Sequence, residues 1–220
     1  MSFVVALLGA ESTGKTTLSR ELADTLRAEG RQVALVPEYL REFCERHGRT
    51  PLRHEQQGIA DEQTRRIAAA TDTHELVITD TTALMIAVYS DLVFGDTALY
   101  AGAEAVHRTG CDLTLLTALD LPWLADGLQR DGPHVREPVD ALVRASLARA
   151  GIEHAVVFGR DNARLQAALA SVRRALAPPD AADAAGNARW HWHCERCGDA
   201  NCERHARLPN LGHRSENGVH

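Results

Sequence analysis

The sequence contains no apolar run long enough to cross a bilayer as a helix, which argues against a membrane-embedded protein. It also lacks an excess of positive charge. With 24 Lys and Arg against 30 Asp and Glu, a net charge of −6 and a pI near 6.0, the chain is not expected to hold nucleic acid by bulk electrostatics. Residues 1–8 are apolar but short, have no cationic start, and run straight into a glycine loop, so they read as a strand and not as a signal peptide. There is no internal repeat. Cysteines are few, and three of the five crowd between Cys194 and Cys202, which points to a metal site in place of a disulfide framework. These absences leave the cytoplasm as the expected compartment and a small molecule as the expected partner. Association with further copies of the chain stays open.

What is present is the composition of an ordinary globular protein: 220 residues, 45% hydrophobic and 25% charged. Apolar, branched segments occur at 3–8, 33–36, 76–79, 113–117 and 154–158, each followed by a loop and helix-compatible sequence. Such alternation predicts an α/β fold with a mainly parallel five-stranded sheet, because right-handed crossovers put helices on both faces. Helices are expected at 16–29, with Leu18, Leu22, Ala23 and Leu26 as an apolar stripe, and at 54–73, 138–150 and 162–176. Residues 121–137 look irregular and are read as a lid. The folded domain is expected to span 1–176, followed by a small-residue linker at 177–189, a Cys/His-rich module at 190–206 and a disordered tail at 207–220.

Gly9-Ala10-Glu11-Ser12-Thr13-Gly14-Lys15-Thr16 matches a phosphate-binding loop at each fixed position and lies between a predicted strand and a predicted helix. Glycines let the backbone curl so that successive N–H groups face phosphate oxygens, and the next helix adds its positive dipole end. Residues Gly9, Glu11, Ser12, Thr13, Gly14, Lys15, Thr16 and Thr17 are therefore the candidate ATP site. In this reading Lys15 reaches the β- and γ-phosphates and the Thr16 hydroxyl faces Mg2+. The fold expected is thus the three-layer sandwich of P-loop NTPases.

Other residues must supply the chemistry. Glu38 follows the second predicted strand, and Arg41 comes about one helical turn later. Asp80 closes the third, where a carboxylate can serve magnesium or the attacking hydroxyl; as an alternative it caps the next helix. Phosphoryl transfer needs water excluded and positive charge over the moving group, which Arg130 and Arg136 of the lid would provide. Trp123 is either a lid anchor or core. No Asn-Lys-x-Asp signature and no Asp-x-x-Gly after the third strand are present, so ATP is preferred to GTP.

The loop at 9–17, Pro37-Glu38-Tyr39-Leu40-Arg41-Glu42, Ile78-Thr79-Asp80-Thr81 and Pro122-Trp123-Leu124-Ala125-Asp126-Gly127-Leu128 occur in the order found in the ribosylnicotinamide kinase domain of NadR-type proteins, which residues 3–176 resemble. The resemblance implies ATP-dependent phosphorylation of the 5′-hydroxyl of nicotinamide riboside. It also implies that Glu38, Tyr39 and Arg41 belong to the substrate side and that Asp80 sits near the metal or accepts the hydroxyl proton; Asp80 and Trp123 are further candidates for binding the substrate. NadR-type proteins often carry a DNA-binding segment and an adenylyltransferase domain as well, and those activities are not expected here. A kinase for a different nucleoside and a nucleotide-dependent regulator are the alternatives.

Cys194, Cys197, Cys202 and His205 place four zinc-type ligands within a dozen residues, compact enough for one tetrahedral Zn2+. A segment this small has no core of its own, so metal would have to supply its stability; an unstructured tail is the alternative.

Overall fold

The computed structural model describes residues 2–123 and 132–177. The lid arginine Arg130 and the zinc candidates Cys194, Cys197, Cys202 and His205 lie outside the described residues, as do positions 178–189 of the expected linker.

Five strands form one parallel sheet in the order β2-β3-β1-β4-β5: β1 (Phe3–Leu8), β2 (Val33–Val36), β3 (Leu76–Asp80), β4 (Leu113–Thr117) and β5 (Ala155–Val157). Central β1 pairs with β3 from Phe3 opposite Leu76 to Leu7 opposite Asp80, and with β4 from Val5 opposite Leu113 to Leu8 opposite Leu116. Both edges of β1 are therefore used, and its residues Val4 to Leu8 are buried, as expected for a strand covered on both faces.

Helices make the outer two layers. On one face α1 (Lys15–Ala28) and α7 (Asp161–Leu176) pack Leu18, Leu22, Leu26, Leu169 and Val172 against Val5, Leu7, Ile78 and Leu115. On the other lie α2 (Tyr39–His47), α3 (Gln56–Thr71), α4 (Ala83–Phe94), α5 (Tyr100–Gly110) and α6 (Arg136–Ala150), whose core includes Phe43, Ile59, Ala103 and Val139 around Leu8 and Leu116. Alternation along β1 thus sends Leu7 to one layer and Leu8 to the other.

The differences from the expected elements are local. The helix expected at 54–73 starts as a 3-10 turn at Arg53–Glu55 and becomes α-helical at Gln56. Helix α6 begins at Arg136, so that residue belongs to a helix and not to an irregular lid. Helices α2, α4 and α5 are not among the ranges expected from the sequence. In α4 every residue from Ala83 to Val88 is buried, so no amphipathic period marks it in the sequence.

Candidate active site

The phosphate loop leaves the carboxyl end of β1. Gly9 has φ 144°, and a Cβ there would lie 2.1 Å from the Thr117 hydroxyl at the end of β4. No larger residue fits. The Thr117 hydroxyl is 3.1 Å from the Leu8 carbonyl and 2.7 Å from the Thr13 hydroxyl, which donates to the Ala10 carbonyl at 2.8 Å. Gly14, in a left-handed conformation with φ 75°, turns the chain into α1. Lys15 arches back across the loop, its Nζ donating to the carbonyls of Gly9 at 2.7 Å and Ala10 at 2.8 Å. Buried Arg164 of α7 braces the loop from below: it donates to the Thr13 carbonyl at 2.7 Å and the Gly159 carbonyl at 3.0 Å, and pairs with Asp120 at 2.9 Å.

Because β3 is the immediate neighbour of β1, Asp80 ends beside the start of α1. Its Oδ2 accepts the Thr16 hydroxyl at 2.6 Å, while Oδ1 is buried without a hydrogen-bond partner. An orphaned carboxylate oxygen beside a hydroxyl is a hard-oxygen donor set that fits magnesium. The alternative role of Asp80 as a helix cap does not apply, since the Thr82 hydroxyl caps α4 by accepting from the Leu84 N–H at 3.3 Å.

From the loop a single cleft of about 1020 Å3 runs outward. Its lining includes Glu11, Ser12, Thr13, Gly14, Lys15, Thr16 and Thr17 of the loop and the start of α1. Glu38 and Arg41 also form part of its wall, together with Leu40, Cys44, Tyr89 and Phe94. Glu38 stands at the N-terminus of α2, directly after β2, and the cleft-facing residues 38, 41 and 45 follow from one helical face. Tyr39 is one step round that helix and does not line the cleft; the Arg66 guanidinium lies 4.4 Å from its ring centroid. Arg66 also pairs with Glu42 at 2.5 Å and Glu62 at 2.8 Å, fastening α2 to α3. Together with Arg65, it holds the Glu62 carboxyl down to about 2.

Arg136 is 8% exposed and donates to the Leu121 carbonyl at 2.9 Å, with its Nε and Nη2 unpartnered. Burial pulls its pKa down, against the pull of Asp120 and Glu11. Glu11 is itself buried with Oε2 lacking a hydrogen bond, so a carboxylate oxygen and two guanidinium nitrogens in this region are buried without hydrogen-bond partners. Trp123 is half-buried and its indole N–H is unpartnered; it does not line the cleft. Residues that sequence reasoning overlooked include Arg164, Thr117 and Gln63, whose contacts join positions far apart along the chain.

A family model described as an AAA domain matches residues 4–164. The chain belongs to that family. The AAA domain here also has the fold of a structure of NadR protein in complex with NR, at TM-score 0.63 and 22% identity, over 78% of this chain and 49% of that one. A structure of NadR protein in complex with NAD and AMP-PNP is similar at TM-score 0.61 and 21% identity, again over 78% of this chain and 49% of that one. The chain therefore spans about half the length of these NadR chains. No curated protein matches it. Among the described residues of this AAA domain, no helix is long and apolar enough to cross a membrane, and no cluster of His, Cys, Asp and Glu is set to hold a metal ion.

Proposed function

We propose that the chain is an ATP-dependent kinase that phosphorylates the 5′-hydroxyl of nicotinamide riboside to give nicotinamide mononucleotide. One observation carries this reading: the phosphate loop and the Glu38–Arg41 wall share one continuous cleft of about 1020 Å3. That volume is at the upper end of what a single small ligand occupies, which suits a nucleotide and a second small molecule side by side. The NadR structures of the same fold, one in complex with NR and one with NAD and AMP-PNP, favour ligands of these kinds.

In this mechanism the loop amides and Lys15 bind the β- and γ-phosphates, with Lys15 exchanging its carbonyl partners for phosphate oxygens. Thr16 and Asp80 would hold magnesium, which when bound neutralises phosphate charge. Glu38 takes the proton of the ribose hydroxyl as its oxygen attacks the γ-phosphorus and ADP departs, while Arg41 orients the acceptor. Tyr39 supports the wall from behind. Arg130 and Arg136 would stabilise the transferring group, and Trp123 would anchor the segment between them; each role is part of the proposal. Zn2+ at Cys194, Cys197, Cys202 and His205 is proposed as a structural site.

The test is ATP consumption with magnesium, with and without nicotinamide riboside, product being identified by mass. Riboside-dependent ADP matched by nicotinamide mononucleotide is expected, and Lys15→Ala should reduce turnover at least a hundredfold while the protein stays folded, in line with about 3 kcal/mol of lost transition-state stabilisation. Turnover with another nucleoside alone would move the assignment to that acceptor. Riboside-independent hydrolysis would replace it with the regulator.

A further inference from the structure

Gln63 of α3 is completely buried, and it does not touch the cleft. Its amide nevertheless reaches the chain on both sides of each candidate carboxylate. Around Glu38, the amide oxygen accepts the Tyr39 N–H at 2.8 Å and the amide nitrogen lies 3.4 Å from the Pro37 carbonyl. Around Asp80, the same nitrogen is 3.3 Å from the Thr79 hydroxyl and 3.5 Å from the Thr81 carbonyl. The orientation of the amide follows from chemistry, because a backbone N–H such as that of Tyr39 can meet only the oxygen end.

The Asp80 side of this arrangement is also strained. Thr81 has φ 86°, a left-handed conformation that a β-branched residue rarely adopts, and it is fully buried. Its carbonyl receives the Thr79 hydroxyl at 2.6 Å, and its N–H donates to Leu7 of β1 at 3.1 Å. Such a conformation persists only where its surroundings hold it. Here the holders are Thr79, Leu7 and Gln63, and the residue they constrain adjoins the aspartate whose Oδ1 has no partner.

We propose that Gln63 is the positioning residue that sets the spacing between Glu38 and Asp80, its one side-chain amide bridging the backbone next to Glu38 and the turn that carries Asp80. This rests on the kinase reading for the role of Glu38, but its Asp80 half stands on magnesium binding alone. Gln63→Met keeps length and volume while removing the hydrogen bonds. Thr79→Val removes the hydroxyl that lies against the Gln63 amide and donates to the Thr81 carbonyl.

The experiment measures binding of a non-hydrolysable ATP analogue by calorimetry with and without magnesium, and then kcat and KM for the acceptor. For both variants the magnesium-dependent gain in analogue affinity should fall about tenfold, while magnesium-free affinity stays within about twofold of wild type, because the loop amides are untouched. Gln63→Met should also lower kcat at least tenfold with little change in the KM for ATP. An unchanged magnesium gain in Thr79→Val would overturn the proposal, whether or not Gln63→Met folds. Equal loss of affinity with and without magnesium would overturn it too, since that marks a general disturbance. If the wild type turns over no riboside, the proposed acceptor fails, while the binding measurements still decide the Asp80 half.

Discussion

Single residues govern the phosphate loop because its backbone passes so close to β4. Gly9 is the sharpest case: its φ of 144° and the 2.1 Å approach to the Thr117 hydroxyl leave no room for a methyl group. Gly9→Ala should cost about 2 kcal/mol in strain and displace the loop, lowering affinity for an ATP analogue at least tenfold. Thermal unfolding and calorimetry on the same preparation would show both losses, and retention of wild-type affinity would mean that the loop does not hold the nucleotide. The glycine was visible in the sequence because phosphate loops need one at this position. Arg164 was not visible, since its partners Asp120 and Thr13 are 44 and 151 residues away, and no local pattern announces such a contact. Gln63 is hidden in another way: it sits among Glu, Gln and Arg residues of a helix whose solvent-facing members look alike in sequence.

At the level of elements, strands were easier to read than helices. Parallel strands covered on both faces appear as short unbroken runs of branched apolar residues, and each of the five coincides with such a run to within a residue or so at its ends. Helix α4 is hidden by the same property, being buried nearly all round, and α5 by its polar, alanine-rich composition. These two helices are joined to the sheet by His107. Its Nδ1 lies 2.9 Å from the Thr82 hydroxyl at the start of α4, and its Nε2 lies 2.8 Å from Thr114 in β4. Burial pushes the His107 pKa down from 6.5 to about 4. An unfolded chain thus takes up this proton near pH 6.5, whereas the folded chain resists it until near pH 4. The stability contributed by neutral His107 is complete above about pH 6.5 and is lost as pH falls toward 4, amounting to about 3 kcal/mol across that window. Denaturant melts at several pH values should show this slope, and His107→Asn should flatten it; an equal slope in both proteins would assign the effect to other groups.

At the level of the whole molecule, the described domain closes with α7 at Leu176, whose residues Leu169 and Val172 complete the layer shared with α1. A chain ending after Leu176 should therefore unfold in one cooperative step and bind the ATP analogue as the full chain does. Loss of the folded state on truncation would show that residues beyond 176 belong to the core. Zinc bound by the full chain and absent from the shortened one, by elemental analysis, would support the proposed site at Cys194, Cys197, Cys202 and His205.

The strand order also sets how firmly each part of the cleft is tied to the sheet. The phosphate loop rises from β1, which is hydrogen-bonded to a strand on both sides, whereas Glu38 and Arg41 follow β2, a four-residue strand at the margin of the sheet. Exchange of backbone amide hydrogens should therefore be slower in β1 than in β2.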